Sequence, residues 1–318
     1  MKNNLSENLI EKLISFCNKK EIPFKRDIKL STLCSFKIGG ISPMIIEPID
    51  NDQLSEALHI FQKEGIVYKV LGGGTNLLIS DTPDSFVTLR LAGDFKEMRG
   101  MEGGIFMIGS SANTTPIFRK ISQMGFTGVE FLSTIPGWVG GAVIQNAGCY
   151  GGEIFNFIEE VEFIKDGKVC SHRKEDIQYG YRTTQFLKNK DSIITKIKIK
   201  VKEGNPEEIE QSLKDKRDKR NSSQPENKKS AGSVFKNPAM KDEKGNPLKS
   251  WWLIDQVGLR GKMQGNAQIS PEHCNFIVNI GQASANDVVY LINQIQEQVY
   301  SKFNIHLERE IEYFGEIS

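Results

Sequence analysis

The sequence lacks the features of a membrane-spanning, secreted or metal-binding protein. It contains no run of about 18 apolar residues, and its N-terminus has no apolar core of signal-peptide length. The five cysteines are odd in number and widely spaced, and they form no C-x-x-C pair. This pattern argues against a disulfide framework and against a zinc site. We therefore expect a cytoplasmic chain with reduced thiols, no bound metal and no insertion into a membrane.

An excess of charge of either sign is also missing. Lys and Arg total 41 against 40 Asp and Glu, which leaves a net charge of +1. A chain without a general positive field is not expected to bind nucleic acid. Apolar residues at 38% and charged residues at 25% are typical of a globular protein. The 318 residues allow two or three compact domains, and the sequence indicates no obligate protein partner.

Two common phosphate-binding loops are absent. Gly72 and Gly74 supply the first two glycines of the dinucleotide fingerprint, but Leu77 stands at the third position. No Gly-Lys-Ser/Thr of a Walker loop is present. Glycines nevertheless cluster twice, at residues 72–74 and at residues 137–152, each time after an apolar segment.

These glycine clusters favour a phosphorylated ligand. Consecutive residues without Cβ let backbone amides converge on an anionic oxygen, and a row of such amides suits a pyrophosphate. Two clusters in one chain suggest two nests that clasp one extended phosphorylated cofactor. A glycine-rich turn between two strands is the alternative for the first cluster, because a count of glycines does not decide between them.

The apolar periodicity predicts an α+β protein. Strands and helices do not alternate regularly, so a doubly wound parallel sheet is not expected. Helices are predicted over residues 4–19, 52–65, 115–125, 206–220, 250–258 and from residue 284. One strand is predicted to end at Val70-Leu71, others are predicted at 192–201, 276–278 and 305–314, and a hairpin is predicted at Asp166-Gly167. The predicted domains are a small α/β lobe (1–66), a strand-rich domain (67–203), a charged helix and linker (204–230) and an α+β domain (231–318).

The basic residues of the charged helix and linker allow two interpretations. They are Lys214, Lys216, Arg217, Lys219, Arg220, Lys228 and Lys229. Most simply they form a solvated face. Alternatively they form a positive rim that attracts an anionic substrate.

Three further residues have open interpretations, since spacing alone identifies no catalytic triad, metal site or carboxylate pair. Ser233 lacks the G-x-S-x-G elbow of a hydrolase and reads as a turn residue. Arg182 lies among tyrosines, where it either stacks for stability or is held to fork onto a carboxylate. Alternation places Glu310 on a solvated face of the terminal strand.

A longer set of motifs favours a functional interpretation of these three residues. The motifs are Phe36 to Gly40, Leu71 to Leu78, Glu130 to Gly137, Gly140 to Gly152, Tyr181-Arg182, Gly232 to Pro238, Asn266 to Ser270, Asn275 to Asn279 and Leu307 to Ile311. In this order and at these spacings they resemble the family of UDP-N-acetylenolpyruvoylglucosamine reductases. The resemblance extends from about Thr32 to Gly315.

The resemblance implies a flavoenzyme of peptidoglycan synthesis. It implies an FAD-binding domain of the vanillyl-alcohol-oxidase type and a C-terminal domain that covers the flavin and holds the substrate. NADPH would reduce the FAD. The enolpyruvyl ether of UDP-N-acetylglucosamine-enolpyruvate would then receive a hydride from flavin N5 and a proton, which yields UDP-N-acetylmuramate.

The resemblance also assigns residues to tasks. Ser233 would donate the proton, Arg182 would bind the substrate carboxylate and the developing enolate, and Glu310 would assist protonation. Lys236 and Asn237 would contact the diphosphate of the sugar nucleotide. The residues implied to hold FAD are Gly72, Gly73, Gly74, Thr75, Asn76, Leu77, Gly137, Gly140, Gly141, Ala142, Asn146, Ala147 and Gly148.

Some positions depart from the family pattern. Thr75 and Thr184 replace serines, and Trp138 replaces a small residue inside the second glycine cluster. The short chain between Phe186 and Ile193 predicts the shorter, second type of the family. Two rival functions share the glycine clusters: another flavin-dependent oxidase or dehydrogenase of the same superfamily, and a non-catalytic flavin-binding protein.

Overall fold

A computed structural model describes residues 5–83, 85–189, 191–225, 228–241 and 244–317. The chain forms two compact units, each built from separate segments. The first unit comprises Met1–Arg26, Pro43–Gly73 and Ser85–Arg220, and the second comprises Asp27–Ser42, Gly74–Asp84 and Asn221–Ser318. The four-part division at residues 66, 203 and 230 stays a prediction.

Among the described residues, six helices lie close to the predicted positions, and two short ones, over residues 139–144 and 185–188, were not predicted. The helices are α1 (Glu7–Lys19), α2 (Asn51–Glu64), α3 (Thr114–Gln123), α4 (Val139–Ile144), α5 (Gln185–Lys188), α6 (Pro206–Ser223), α7 (Ser250–Gln256) and α8 (Ala285–Phe303). Within the described ranges, no helix combines the length and the apolar character that crossing a membrane requires.

The strands in the described ranges are short, apart from two longer ones of 8 and 9 residues in the first unit. They are β1 (Phe24–Lys29), β2 (Ile41–Ile46), β3 (Tyr68–Val70), β4 (Leu77–Ile79), β5 (Val87–Leu89), β6 (Met98–Met101), β7 (Ile105–Gly109), β8 (Phe126–Thr127), β9 (Gly148–Cys149), β10 (Gly152–Glu153), β11 (Ile158–Lys165), β12 (Lys168–Arg173), β13 (Tyr179–Gly180), β14 (Thr183–Thr184), β15 (Ser192–Lys200), β16 (Lys202–Glu203), β17 (Met263–Gln264), β18 (Ala267–Ile269), β19 (Ile277–Asn279) and β20 (Glu312–Phe314).

A small sheet with the strand order β1-β2-β5-β3 begins the first unit. Strands β2, β5 and β3 are parallel, with Leu89 in register with both Ile46 and Val70. All three therefore end at one edge of the sheet. Helix α2 starts at the N-cap Asp50, whose side chain accepts a hydrogen bond from the Gln53 amide. The helix predicted from residue 52 thus begins one residue earlier, and Asp52 lies inside its first turn.

A second sheet in the first unit is antiparallel, with the strand order β12-β11-β15-β7-β6. The predicted hairpin is confirmed, because Asp166 and Gly167 join β11 to β12 with φ angles of 50° and 72°. Positive φ at both turn residues matches the twist of the flanking strands. The apolar side chains of this sheet and of α3 and α4 form one buried core, which includes Phe106, Phe118, Val139, Phe155 and Ile197.

The second unit contains the antiparallel sheet β17-β18-β19, against which α8 packs. Helix α8 begins with a capping box, in which Ser284 and Asp287 each accept a hydrogen bond from the other's backbone amide. Strand β20 runs parallel to β4, with Glu312 opposite Leu77.

The predicted terminal strand over residues 305–314 is wrong in its extent. Only Glu312–Phe314 pairs with another strand, while the residues before it bond to a loop through an isolated bridge between Arg309 and Phe235. Helices accompany the two larger sheets of the first unit and the three-stranded sheet of the second. The predicted α+β class is confirmed.

Candidate functional site

The first glycine cluster follows strand β3 in the first unit. Gly72 and Gly73 lie at the edge where the parallel strands β2, β5 and β3 end. Ligands of open α/β sheets bind beyond the carboxyl ends of parallel strands. Among the described residues, no acceptor takes a hydrogen bond from the amides of Gly72 or Gly73. These donors are therefore available to an anionic ligand.

The two glycine clusters touch each other. A Cβ placed on Gly73 would lie 2.8 Å from the Cα of Gly137 and 3.0 Å from the amide nitrogen of Trp138. No side chain fits in that space, so glycine is required for the two backbones to approach. The unpaired amides of Gly72 and Gly73, with the second glycine loop beside them, fit the extended phosphorylated cofactor that the nest interpretation predicts.

The remaining glycines of the second cluster have different roles. Gly140 packs against Ser110, whose Cβ would lie 3.0 Å from a Cβ at residue 140, and its amide donates to the Ser110 carbonyl at 2.7 Å. Gly141 is exposed with open space around its Cβ position, whereas Ala142 is buried. Gly140 and Ala142 thus support the loop, and Gly141 lies at its surface.

Asn146 organises the segment that follows. It is fully buried with a φ of 43°, and its Nδ2 donates to Glu153 Oε2 at 3.0 Å and to the Gly180 carbonyl at 2.9 Å. Its Oδ1 accepts from the Phe155 amide at 3.4 Å. The backbone of Ala147 completes the turn by bonding to Ala142 at 2.7 Å. Because both ends of the Asn146 side chain bond to the protein, this side chain shapes the loop.

Arg182 is held against the same segment. Its guanidinium donates to the carbonyl of Gly148 and, at 3.5 Å, to that of Asn146. It also lies over the Tyr181 ring, with 5.0 Å between the guanidinium carbon and the ring centroid. The residue adopts a left-handed φ of 52°. Arg182 therefore stacks on Tyr181, and the same contacts fix the cation in one orientation.

Trp138 turns toward the first glycine cluster. Its ring carbon Cε3 is the nearest atom to a Cβ placed on Gly72, at 3.9 Å. The guanidinium of Arg90 lies over the same ring, 4.6 Å from its centroid. No motif of the sequence singles out Arg90. The only available signal was its position directly after the apolar strand that ends at Leu89.

The basic residues of α6 are exposed, apart from the partly buried Lys216 and Arg220. Arg220 is half-buried, and its Nη1 donates to the Thr134 carbonyl at 2.7 Å. Burial lowers the pKa of the Arg220 guanidinium. A cavity of about 330 Å³ between α3 and α6 is lined by Arg119, Lys214, Arg217 and Arg220, with Glu210 as the acidic residue. The first unit therefore has a positive surface here.

The last glycine of the first cluster, Gly74, and the residues that follow it up to Leu77 belong to the second unit. Gly74 has a φ of 64°, and a Cβ on it would lie 2.5 Å from the carbonyl oxygen of Leu33, so only glycine fits. Thr75 is half-buried. Asn76 Nδ2 donates to the carbonyl of Glu310 at 2.9 Å. The side chain of Asn76 therefore links the glycine loop to a predicted catalytic residue.

Ser233 and Glu310 lie close together in the second unit. The amide of Glu310 donates to the carbonyl of Val234, the residue after Ser233, at 2.8 Å. Asn275 holds the other edge of this loop, because it accepts from the Phe235 amide at 3.0 Å and donates to the Phe235 carbonyl at 2.8 Å. Two of the three predicted catalytic residues, Ser233 and Glu310, thus lie on two segments that are hydrogen-bonded to each other through their backbones.

The Ser233 hydroxyl is available for a ligand. Ser233 is half-buried and follows Gly232, whose φ is 81°. In the part of the chain that the structure describes, the hydroxyl of Ser233 bonds to no protein atom. A half-buried hydroxyl without a protein partner can donate to a bound substrate.

Lys236 and Asn237 follow on the same loop. Lys236 forms an ion pair with Glu308, whose side chain is 73% exposed. The Oδ1 of Asn237 accepts a hydrogen bond from the Ser250 amide at 3.1 Å, at the start of α7. Across the described residues, no group of His, Cys, Asp and Glu is arranged to hold a metal ion.

Two family models match different parts of the chain. Residues 224–314 match the family model of the UDP-N-acetylenolpyruvoylglucosamine reductase C-terminal domain, and residues 42–171 match that of an FAD binding domain. The predicted cofactor FAD and the FAD-binding domain are thereby confirmed.

Whole-chain relatives carry the same family name. The UDP-N-acetylenolpyruvoylglucosamine reductase of Leptospira interrogans serogroup Icterohaemorrhagiae serovar copenhageni is 61% identical over 98% of both chains. That of Anoxybacillus flavithermus is 32% identical over 92% of this chain and 94% of the relative.

A solved structure agrees as well. The crystal structure of the reductase from Thermus caldophilus has a TM-score of 0.78 and 33% identity, covering 92% of this chain and 99% of the other. The chain therefore belongs to the UDP-N-acetylenolpyruvoylglucosamine reductase family and is an FAD-dependent oxidoreductase.

Proposed function

We propose that the chain reduces the enolpyruvyl ether of UDP-N-acetylglucosamine-enolpyruvate to UDP-N-acetylmuramate, with NADPH as the hydride donor. FAD, when bound, would take the hydride from NADPH and supply it to the methylene carbon of the ether. The observation that carries the proposal is the unpaired Ser233 hydroxyl beside the Glu310 backbone. The reaction would belong to peptidoglycan synthesis, in the cytoplasm, where the five free cysteines stay reduced.

Ser233 is proposed as the proton donor. Reduction at the methylene carbon leaves a carbanion-like, enolic centre next to the substrate carboxylate, and this centre must be protonated. The unpaired hydroxyl of Ser233 has a proton to give. Because a serine hydroxyl is a weak acid, it needs a neighbour that stabilises the charge or relays a replacement proton.

Glu310 is proposed as that neighbour. Its backbone is fixed on both sides, since its amide bonds to Val234 and its carbonyl accepts from Asn76. The side chain is half-buried. A carboxyl group on such a fixed backbone can assist protonation of the enol without a change in the loop.

Arg182 is proposed to bind the substrate carboxylate and to stabilise the developing enolate. This task needs a fixed positive charge whose position does not depend on the substrate. The carbonyls of Asn146 and Gly148 and the Tyr181 ring orient the guanidinium. A planar guanidinium can bond to the two oxygens of a carboxylate at once.

Lys236 and Asn237 are proposed to contact the diphosphate of the sugar nucleotide. The side chain of Lys236 is 13% exposed, whereas that of its partner Glu308 is 73% exposed. The ammonium is thus held in the protein while its acidic partner faces water, and a phosphate of the substrate would replace Glu308 beside it. The Oδ1 of Asn237 bonds to α7 and orients the side-chain amide.

The glycine loops are proposed to hold FAD. Gly72, Gly73 and Gly141 would bond through their amides, while Thr75 and Leu77 would line the loop. Gly74, Gly137, Gly140 and Gly148 would allow the close backbone approach. The loops would be held in shape by the protein contacts of four further residues, Asn76, Ala142, Asn146 and Ala147.

An anaerobic half-reaction experiment tests the proposal. NADPH should bleach the flavin absorption of the purified holoprotein, and UDP-N-acetylglucosamine-enolpyruvate should restore it with formation of UDP-N-acetylmuramate. The competing oxidant is oxygen, added in a parallel run. Reoxidation by oxygen that is as fast as reoxidation by the enolpyruvyl sugar would contradict the proposal and favour an oxidase.

A further inference from the structure

Arg90 occupies the edge of the small sheet at which the first glycine cluster begins. Its amide donates to the carbonyl of Ile46 at 2.9 Å, and the amide of Leu71 donates to the carbonyl of Leu89 at 2.9 Å. Arg90 is thus the first residue after β5, between the ends of β2 and β3. This edge is where parallel sheets bind their ligands.

The charge of Arg90 is only partly compensated. Glu47 is its acidic neighbour, with 3.8 Å between Arg90 Nη1 and Glu47 Oε1, which is too long for a hydrogen bond. The other oxygen of Glu47 lies 2.7 Å from the ammonium of Lys25. Within the described residues, the Nε of Arg90 is buried and has no hydrogen-bond partner. A half-buried guanidinium whose acidic neighbour lies beyond hydrogen-bond distance keeps its Nη donors for a further anion.

Trp138 restricts where the Arg90 guanidinium can lie. The guanidinium is placed 4.6 Å from the centroid of the indole ring, a cation–π distance. The same ring borders Gly72, as its Cε3 lies 3.9 Å from a Cβ placed there. The indole therefore connects the cation to the glycine loop whose amides are unpaired.

We propose that Arg90 is a diphosphate-binding residue of the FAD site and that Trp138 is its positioning residue. The proposal rests on the assignment of Gly72 and Gly73 to FAD. Backbone amides offer partial charges to a diphosphate, and a guanidinium adds a full charge with a fork of donors. Trp138 replaces the small residue expected from the family resemblance, and it supplies a surface on which that fork is oriented.

The test compares two flavins that differ in phosphate. The full chain, stripped of cofactor, is titrated with FAD and with riboflavin, which has the isoalloxazine ring but no phosphate. Arg90→Gln should weaken FAD binding about 10- to 100-fold, as for a lost hydrogen bond to a charged group. Riboflavin binding should stay within about twofold of the wild type.

Matched variants separate charge from packing. Arg90→Met keeps the apolar stem and should lose FAD affinity like Arg90→Gln. Arg173→Gln removes an exposed arginine of the same unit and should leave FAD affinity unchanged. Raising the salt concentration should weaken FAD binding less in the Arg90 variants than in the wild type. Equal loss of FAD and riboflavin affinity would overturn the proposal, because it would indicate damage to the ring site or to the fold.

Trp138 has its own readouts. Trp138→Phe keeps an aromatic surface and should retain most of the FAD affinity, whereas Trp138→Ser should lose part of it. FAD should also quench tryptophan emission more strongly in the wild type than in Trp138→Phe, which keeps Trp251 and Trp252. Identical quenching in both would contradict a Trp138 that borders the cofactor.

Gly73→Ala tests separately whether the glycine loops hold FAD, which is the assignment on which the Arg90 proposal rests. The added Cβ would meet the Gly137 backbone at 2.8 Å and should weaken FAD binding if the loops hold FAD. If Gly73→Ala weakens FAD binding and neither Arg90 variant does, the Arg90 proposal alone is overturned. If none of the three weakens it, the assignment of the glycine loops fails, and the proposal fails with it.

Discussion

Val234 and Glu310 are joined by a backbone hydrogen bond of 2.8 Å between the Glu310 amide and the Val234 carbonyl. The two residues are far apart in the sequence, yet this bond places the segment that carries Glu310 beside the loop that carries Ser233. The Phe235–Arg309 bridge and the bond from the Lys236 amide to Glu308 extend the contact. In the second unit, backbone hydrogen bonds therefore join the segments that carry Ser233 and Glu310.

Asn275 is predicted to stabilise this arrangement strongly. Asn275→Ala removes the acceptor of the Phe235 amide and the donor to the Phe235 carbonyl, both buried. Leaving buried backbone groups unpaired should lower the free energy of unfolding by about 2–3 kcal/mol. Chemical denaturation measures this change.

Asn293→Ala is the matched control for Asn275. Asn293 is exposed on α8, so its replacement should change the free energy of unfolding by no more than about 0.5 kcal/mol. Equal stability of the two variants would show that the Asn275 bonds do not hold the Ser233 loop.

Ser233→Ala should separate the two half-reactions. The variant lacks the proposed proton donor, so reoxidation of the reduced flavin by the enolpyruvyl sugar should slow about 10²- to 10⁴-fold. Reduction by NADPH should keep its wild-type rate, because it does not use this proton. Anaerobic stopped-flow absorption measures both rates. Ser301→Ala, an exposed serine of α8, is the control, and equal slowing of both half-reactions would remove Ser233 from the proposed role.

Arg182→Lys should reduce turnover of the enolpyruvyl sugar, although it keeps a positive charge. An ammonium cannot bond to the carbonyls of Asn146 and Gly148 and to a carboxylate in the geometry of a planar fork. We expect kcat/KM for the enolpyruvyl sugar to fall by at least about tenfold. The exposed variant Arg173→Lys should retain wild-type values in the same steady-state assay. Near-normal turnover of Arg182→Lys would refute the carboxylate role.

His273 makes stability depend on pH. Burial lowers its pKa below the ordinary value of 6.5, and the charge of Arg260 lowers it further. The unfolded chain therefore binds a proton at higher pH than the native one. Stability should fall as the pH drops through 6.5 toward the native pKa, and the loss should then level off.

The His273 effect is measured as a difference between variants. The free energy of unfolding is compared at about pH 8 and about pH 5 for the wild type and for His273→Gln, since other groups titrate in both. The drop should be smaller in His273→Gln. A drop of the same size in both proteins would assign the pH dependence to other residues.

Local patterns predicted the elements whose geometry depends on neighbours in sequence. The Asp166-Gly167 hairpin and the Gly65 helix end follow from the φ angles that these residues tolerate, and the α8 cap follows from the side chain of Ser284. The extent of the last strand was not predictable in this way. Alternation of apolar residues up to Phe314 indicates an extended chain, but a strand also needs a partner strand.

Asn76 and Asn146 show that a motif does not by itself predict the contacts of its residues. Asn76 and Asn146 belong to the glycine motifs, and the resemblance implies that they contact FAD. In the structure their side-chain amides bond to Glu310, Glu153 and Gly180, so they also shape the loops. A sequence motif records which residue is needed, and it does not record what that residue contacts.

By itself the sequence determined the α+β class, the glycine loops that tolerate no side chains, and the family, because these depend on local chemistry and on the order of motifs. Only the tertiary structure decided that Val234 lies beside Glu310, that carbonyls of the second glycine cluster hold Arg182, and that Arg90 stacks on Trp138. Each of these contacts joins residues from separate segments, and a pattern of neighbours along the chain contains no measure of distance between segments.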